Sequence, residues 1–292
     1  MNVFIFPGQG AQFPGMGLDA YKSSKKIKSV FDEADEILGF KLSKIMFEGS
    51  DDELKQTKVT QPAIFLHSIA ELYLKNNEIK PDFVAGHSLG EFSALVANNT
   101  ISFADGLKLV SIRAKAMQKA CENNKGGMAA ILGLDDELIE ETCKNFEGNV
   151  VAANFNCPGQ VVISGDLDNV KLICEKFNEI GARRSLLLPV SGAFHSELMI
   201  GAKDELSEAI NNISLQKPSC PIYQNVNGKP ELDTDTIKIN LINQLTSSVK
   251  WTQTVKNMIK DGANNFIEFG PGKVLCGLIK KVDREVNVQS AF

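Results

Sequence analysis

Gly86-His87-Ser88-Leu89-Gly90 stands between the apolar run Phe83-Val84-Ala85 and the helix-like stretch Glu91-Phe92-Ser93-Ala94-Leu95-Val96-Ala97. The pattern fits a strand that reverses straight into a helix with a serine at the apex, and that demands an α/β architecture. Side chains at the positions flanking the serine would crowd the reversing backbone. Gly86 and Gly90 therefore make the turn possible and leave the hydroxyl exposed. The N–H groups at the start of the helix, with the amide of Leu89, are expected to aim at the same point and to suit a developing oxyanion. A G-x-S-x-G that arose by chance in a glycine-rich turn would lack the strand and helix on its two sides. The chemistry expected of Ser88 is covalent and acyl-based.

The chain of 292 residues suffices for a sizeable core, as one large domain or as a main domain carrying a smaller one. Its formal net charge of -5 gives no electrostatic case for a polyanion, so nucleic acid is not an expected partner. Cys121, Cys143, Cys157, Cys174, Cys220 and Cys276 are spread without a C-x-x-C pair or a histidine cluster, which predicts a reducing compartment and no zinc site. Met1-Asn2-Val3-Phe4-Ile5-Phe6 has no basic leader and stops at Pro7-Gly8, so it reads as a first strand rather than a secretory signal. No window reaches the roughly 18 apolar residues of a membrane span. A cytoplasmic enzyme with no membrane partner is expected.

Strand 2–6 runs into Pro7-Gly8-Gln9-Gly10-Ala11-Gln12, a glycine and amide loop at a strand's carboxyl end, where open α/β sheets place ligands. That loop has neither the dinucleotide glycine pattern nor the Lys-Ser/Thr ending of a phosphate loop. Helical periodicity follows over 23–38 and about 61–75, with Pro62 expected in the first turn of the second. Ser102 or Asp105 is expected to begin a long helix that ends near Cys121 and carries Arg113. From about Gly126 the order becomes strand 127–132, helix 135–144, strand 149–154, strand 160–164, helix 167–180 and strand 183–188. This β-α-β-β-α-β order fits a ferredoxin-like unit, bounded by the linker-like segments Lys125-Gly126-Gly127 and Pro189-Val190-Ser191-Gly192. Helices over 196–211, about 235–246 and 251–260, a short strand near 221–224, and strand 265–269 before a helix near Lys273 complete the pattern. The expected fold is a large α/β domain, 1–125 and 190–292, with an α/β-hydrolase-like parallel sheet and the nucleophile elbow. A ferredoxin-like small domain, 126–189, is inserted in it, and a cleft lies between the two.

A serine hydroxyl needs a base, and histidine, with an unperturbed pKa of about 6.5, is suited to the task. The chain has three: His67, His87 and His195. His87 adjoins the serine in the elbow, so its side chain is expected to point elsewhere, toward packing or the cleft wall. His67, among Ile64, Phe65, Leu66 and Ile69, reads as a core histidine. His195 lies where the small unit hands back to the large one, and is the expected base. No candidate acid for a hydrolase triad follows a large-domain strand. A backbone carbonyl or an amide is the alternative support for His195.

The elbow through Glu91, the loop Pro7–Gln12, Arg113 and Gly192-Ala193-Phe194-His195-Ser196 together resemble, in order and spacing, the malonyl-CoA:acyl carrier protein transacylase family. The resemblance covers essentially the whole chain. It implies that Ser88 becomes malonylated, with His195 as base and then as acid toward the departing thiol. It places the oxyanion between the backbone amides of Gln9 and Leu89, and the free carboxylate of malonate on Arg113, whose planar fork binds a carboxylate bidentately. An ordinary helix arginine snorkelling to solvent is the alternative for Arg113. The resemblance also implies that the main-chain carbonyl of Gln244 supports His195, and that Phe194 leaves little room for an α-methyl group. Discrimination of one methyl is modest, about 1–3 kcal/mol. Asn156, with Asn154, is expected at the cleft edge near malonate or the thioester arm, loop capping being the alternative.

The activity implied is a two-step exchange from malonyl-CoA to acyl carrier protein that supplies fatty acid biosynthesis. It requires no metal or organic cofactor. Lys115, Arg183, Arg184 and Lys273 are candidates to meet CoA phosphates or an acidic carrier protein, and a monomer is the default. The rival reading is a serine hydrolase acting on thioesters or carboxylic esters, with water as acceptor and an acid completing the triad. A non-catalytic carrier-binding module would keep the fold without an acylatable serine.

Overall fold

A computed structural model describes residues 1–75, 79–190 and 192–292; Ser191, in the second expected linker, lies outside the described residues. In chain order the strands are β1 (Asn2–Phe6), β2 (Phe83–Gly86), β3 (Gly126–Leu132), β4 (Val150–Cys157), β5 (Gln160–Asp166), β6 (Arg184–Leu187), β7 (Ile222–Tyr223), β8 (Pro230–Glu231), β9 (Asn265–Glu268) and β10 (Asn287–Ser290). Six of them form a sheet of order β10-β9-β1-β2-β7-β8, parallel throughout except for the β7–β8 pair. The other four form an antiparallel sheet of order β4-β5-β3-β6, the ferredoxin-like arrangement.

The central strands of the parallel sheet are continuous apolar runs because both of their faces are covered. Successive side chains alternate between two cores. Phe4 and Phe6 of β1, Val84 of β2 and Ile267 of β9 face one, packed with Phe65, Phe92, Leu95 and Phe269. Val3, Ile5, Phe83, Ala85 and Phe266 face the other, with Trp251, Val255 and Met258. A third core, around Ile131, Ile139, Val161, Ile173 and Phe177, lies between the antiparallel sheet and its helices Asp136–Lys144 and Leu167–Glu179.

The segment 248–252 ties the two sheets together. Val249 N–H donates to the Ala153 carbonyl at 2.8 Å, and Phe155 N–H donates to the Val249 carbonyl at 2.9 Å, so this segment pairs with β4 along its edge. Ser248 Oγ donates to the Ala152 carbonyl at 2.6 Å and Thr252 Oγ1 to the Phe155 carbonyl at 3.0 Å.

Several expected boundaries move. The helix expected over 61–75 starts at Thr57, so Pro62 sits in its second turn and not its first. The carbonyl of Lys58 that Pro62 leaves without a helical partner belongs to an exposed residue. The helix expected to run to 246 ends at Asn243 and tightens into a 3₁₀ turn, Gln244–Thr246. That expected from 196 begins as a 3₁₀ turn capped by Ser196 and is α-helical over Ile200–Asn211. Strand β4 extends to Cys157, so Asn154 and Asn156 are strand residues and not loop caps. No helix among the described residues is long and apolar enough to cross a membrane.

Candidate active site

β2 ends at Gly86 and the helix Gly90–Ala97 begins four residues on, so the chain reverses within His87, Ser88 and Leu89. Ser88 takes a φ of 52°, a left-handed conformation that costs a residue bearing a Cβ about 1–2 kcal/mol. Close approach explains the glycines. A Cβ on Gly86 would lie 1.8 Å from the carbonyl carbon of Gly90, and one on Gly90 would lie 2.0 Å from the carbonyl oxygen of Phe6 at the end of β1. Buried Asn225 clamps the turn: its Nδ2 donates to the Gly86 carbonyl at 2.7 Å and its Oδ1 accepts from Ser88 N–H at 2.6 Å.

The expected cluster of free helix amides at the apex is corrected. Gly90, Glu91 and Phe92 N–H groups donate to the carbonyls of His87, Ser88 and Leu89, each three residues back. A turn this tight consumes those donors. Among the described residues the Leu89 N–H alone of this group has no partner.

His195 follows β6 through a loop and also takes a left-handed conformation, with φ of 59°. Its Nε2 lies 2.8 Å from Ser88 Oγ, and its Nδ1 lies 2.9 Å from the main-chain carbonyl oxygen of Gln244. A carbonyl accepts only, so Nδ1 carries the proton and Nε2 is left to accept from the Ser88 hydroxyl. Gln244 owes its place to the 3₁₀ turn that interrupts the chain between helices Thr234–Asn243 and Trp251–Lys260. Burial, reinforced by the charge of Arg113, pushes the His195 imidazole down to about 3, so it is held neutral.

Arg113 lies on the helix Phe103–Asn123. Ser102 caps that helix by accepting from Asp105 N–H at 3.0 Å, so the cap is Ser102 and Asp105 belongs to the first turn. Arg113 is 1% exposed, which corrects the snorkelling alternative. Its Nη1 donates to Gln61 Oε1 at 2.7 Å, and its Nη2 donates to Ser88 Oγ at 2.9 Å and to Gln244 Oε1 at 3.1 Å. Its Nε has no partner among the described residues. Glu91 is equally buried; its Oε1 accepts from Asn225 N–H at 3.0 Å and its Oε2 from Gln244 Nε2. Burial pushes the Glu91 carboxyl up to about 8, against the pull of Asn225, Gln244 and Arg113, and draws Arg113 down to about 10, against the pull of Glu91.

Ser88, His195, Arg113 and Gln244 are thus brought together. Gln9 follows Gly8, which lies so close over the elbow that a Cβ there would be 2.7 Å from the His87 carbonyl oxygen. Phe194 is buried in the core beneath the histidine loop. Asn156 reaches the elbow by another route: its Oδ1 lies 2.9 Å from Nε2 of His87, whose ring centroid is 5.7 Å from that of Trp251. His67 pairs with Glu71 at 3.1 Å, away from Ser88. Lys115, two residues beyond Arg113, is turned about 200° round the helix and lines a hollow with Phe40, Ile45 and Val59. Three residues of the site were not foreseen. Glu91 stood in the elbow motif without a role, and Gln61 and Asn225 are single polar residues whose sequence surroundings carry no signal.

The acyl transferase domain family matches residues 3–291. The malonyl CoA-acyl carrier protein transacylase of Bacillus subtilis is 46% identical over 288 residues, covering 97% of this chain and 91% of that protein. The protein of the same name from Staphylococcus aureus strain MRSA252 is 42% identical over 292 residues, 99% of this chain and 94% of that one. Among solved structures, an acyl-carrier-protein S-malonyltransferase from Bartonella henselae gives a TM-score of 0.95 at 39% identity, covering 99% of this chain and 95% of that one. A malonyl-transacylase in complex with its holo type II polyketide synthase acyl-carrier protein gives 0.94 at 36% identity, covering 99% and 94%. With a family match over nearly its whole length and relatives above 40% identity, this chain belongs to the malonyl CoA-acyl carrier protein transacylases, within the acyl transferase domain family.

Proposed function

We propose that this chain is an acyl-carrier-protein S-malonyltransferase: it carries the malonyl group from malonyl-CoA to the phosphopantetheine thiol of acyl carrier protein and so supplies fatty acid biosynthesis. The observation that carries this reading is the buried Arg113 guanidinium set 2.9 Å from the Ser88 hydroxyl, which is itself 2.8 Å from His195. A nucleophile that shares its pocket with a fixed, buried cation is suited to an acyl group bearing a second carboxylate.

In the first half-reaction Ser88 Oγ attacks the thioester carbon while its proton passes to His195 Nε2. The oxyanion of the tetrahedral adduct is assigned to the N–H groups of Leu89 and Gln9. As the C–S bond breaks, His195 returns the proton to the sulfur and CoA leaves. The second half-reaction is the reverse with the carrier's thiol as nucleophile. The Gln244 carbonyl keeps the His195 tautomer fixed through both halves. Phe194 and Asn156 are assigned to the wall around the malonyl methylene and the thioester arm. The cycle uses protein groups alone and calls on no cofactor. A monomer in the cytoplasm, with residues 126–189 as an inserted domain, completes the proposal.

Intact-mass analysis after exposure to malonyl-CoA tests it directly. The expected result is one malonyl increment on Ser88, discharged faster by holo acyl carrier protein than by water. Discharge mainly to water would establish the hydrolase instead. Arg113→Ala is expected to lower malonyl loading about 100-fold or more, the cost of removing one buried, charge-assisted contact, and to lower acetyl loading less. Equal loss on both acyl groups would remove the carboxylate contact from the proposal.

A further inference from the structure

Glu91 buries a carboxyl group inside the helix Gly90–Ala97, among core residues Phe92, Ala94 and Leu95. Burying a carboxyl group there is costly unless it is hydrogen-bonded, so its contacts call for an explanation. Both of its oxygens accept hydrogen bonds, and both donors belong to residues that hold the site.

The first is the N–H of Asn225, whose side chain clamps Gly86 and Ser88. The second is the side-chain amide of Gln244, which stands between Glu91 and Arg113: Gln244 Oε1 accepts from the guanidinium and Nε2 donates to the carboxylate. An amide has one accepting end and one donating end. The Arg113 cation fixes which end accepts, since a flip would set donor against donor there, and the end left facing Glu91 donates to a carboxyl oxygen. The same Nε2 donates to the Ser88 carbonyl at 2.9 Å, and the main-chain carbonyl of the same residue holds His195 Nδ1.

We propose that Glu91 is a positioning residue for acyl transfer: through the Gln244 amide its carboxyl group keeps His195 and Arg113 in register with Ser88. It makes no contact with the Ser88 hydroxyl, and its hydrogen bonds run to Gln244 and Asn225. The proposal deepens the transferase reading above and rests on it for the identity of the site.

The test uses an isosteric change. Glu91→Gln keeps shape and volume but leaves one acceptor where two are needed, so a donor meets a donor in either amide orientation. Labelling of Ser88 by a fluorophosphonate, followed by intact mass, reads the Ser88–His195 pair without using malonyl. The saturating labelling rate of E91Q is expected to fall about 100-fold, the scale of a small misplacement of reacting groups, while the half-saturating probe concentration changes less than about 3-fold. Gln244→Ala, which keeps the main-chain carbonyl, is expected to lose about as much. Adding E91Q in that background is expected to cost less than about 3-fold more, because the two act as one unit. A wild-type labelling rate in E91Q, or an equal cost of E91Q in both backgrounds, overturns the proposal. Should E91Q fail to fold, a wild-type rate in Q244A overturns it alone. Malonyl-CoA is run in parallel: a wild-type chain labelled by the phosphonate but not by malonyl-CoA contradicts the transferase reading, while the labelling rates still decide the role of Glu91.

Discussion

Burial acts strongly on His195, and its effect extends to stability. In the folded chain the imidazole is held down to about 3, whereas in the unfolded chain it titrates at its ordinary value of 6.5. Below that value the unfolded state binds a proton that the native state refuses. The stability His195 contributes is therefore complete above about pH 6.5 and is lost as the pH falls toward 3. His87, also buried and lowered, adds to the same trend, and Glu91, raised by burial, acts with the opposite sign over a higher range. Those two remain when His195 alone is changed. Urea melts of the wild type and of His195→Gln are expected to show the wild type losing about 2 kcal/mol more between pH 6 and 4.5, one proton's worth of linkage over that interval. Parallel losses would mean that the imidazole titrates normally in the fold.

At the scale of elements, the elbow depends on how closely one backbone passes another. A Cβ on Gly90 would meet the Phe6 carbonyl oxygen at 2.0 Å, and no rotamer relieves a clash between a Cβ and the main chain of β1. Gly90→Ala is expected to cost about 3 kcal/mol, the upper part of the range for overpacking. Gly201, in the helix Ile200–Asn211, has open space where its Cβ would stand, and Gly201→Ala is expected to gain about 0.5 kcal/mol. Urea midpoints of the two variants check the contrast. Elements of this kind were legible where composition and neighbours agree. The apolar runs of β1 and β2, and the alternation of strand and helix patterns over 126–188, announced both sheets. β8 and β10 were not legible: Pro230–Glu231 and Asn287–Ser290 are short, polar edge strands whose pairing is set by their neighbours and not by their own residues. The nearness of Ser88 and His195 could be read from motif position and the scarcity of histidine. The bridge from Arg113 through Gln244 to Glu91 could not, because a buried amide in a 3₁₀ turn looks in sequence like any surface glutamine.

At the scale of the whole molecule, the two sheets share a seam. Trp251, the single tryptophan, is fully buried beside that seam, next to the His87 ring and in the core of the parallel sheet. The main-chain pairing of Val249 with β4 gives loss of either sheet's packing a direct effect on its surroundings. Urea transitions followed by Trp251 fluorescence and by far-ultraviolet circular dichroism are expected to coincide, as one cooperative unit requires. Two separated midpoints would show the residues 126–189 melting on their own. The ribbon that makes this seam begins only a few residues after Gln244, whose carbonyl steers the imidazole. The same short stretch of backbone thus joins the two sheets and sets the aim of the imidazole.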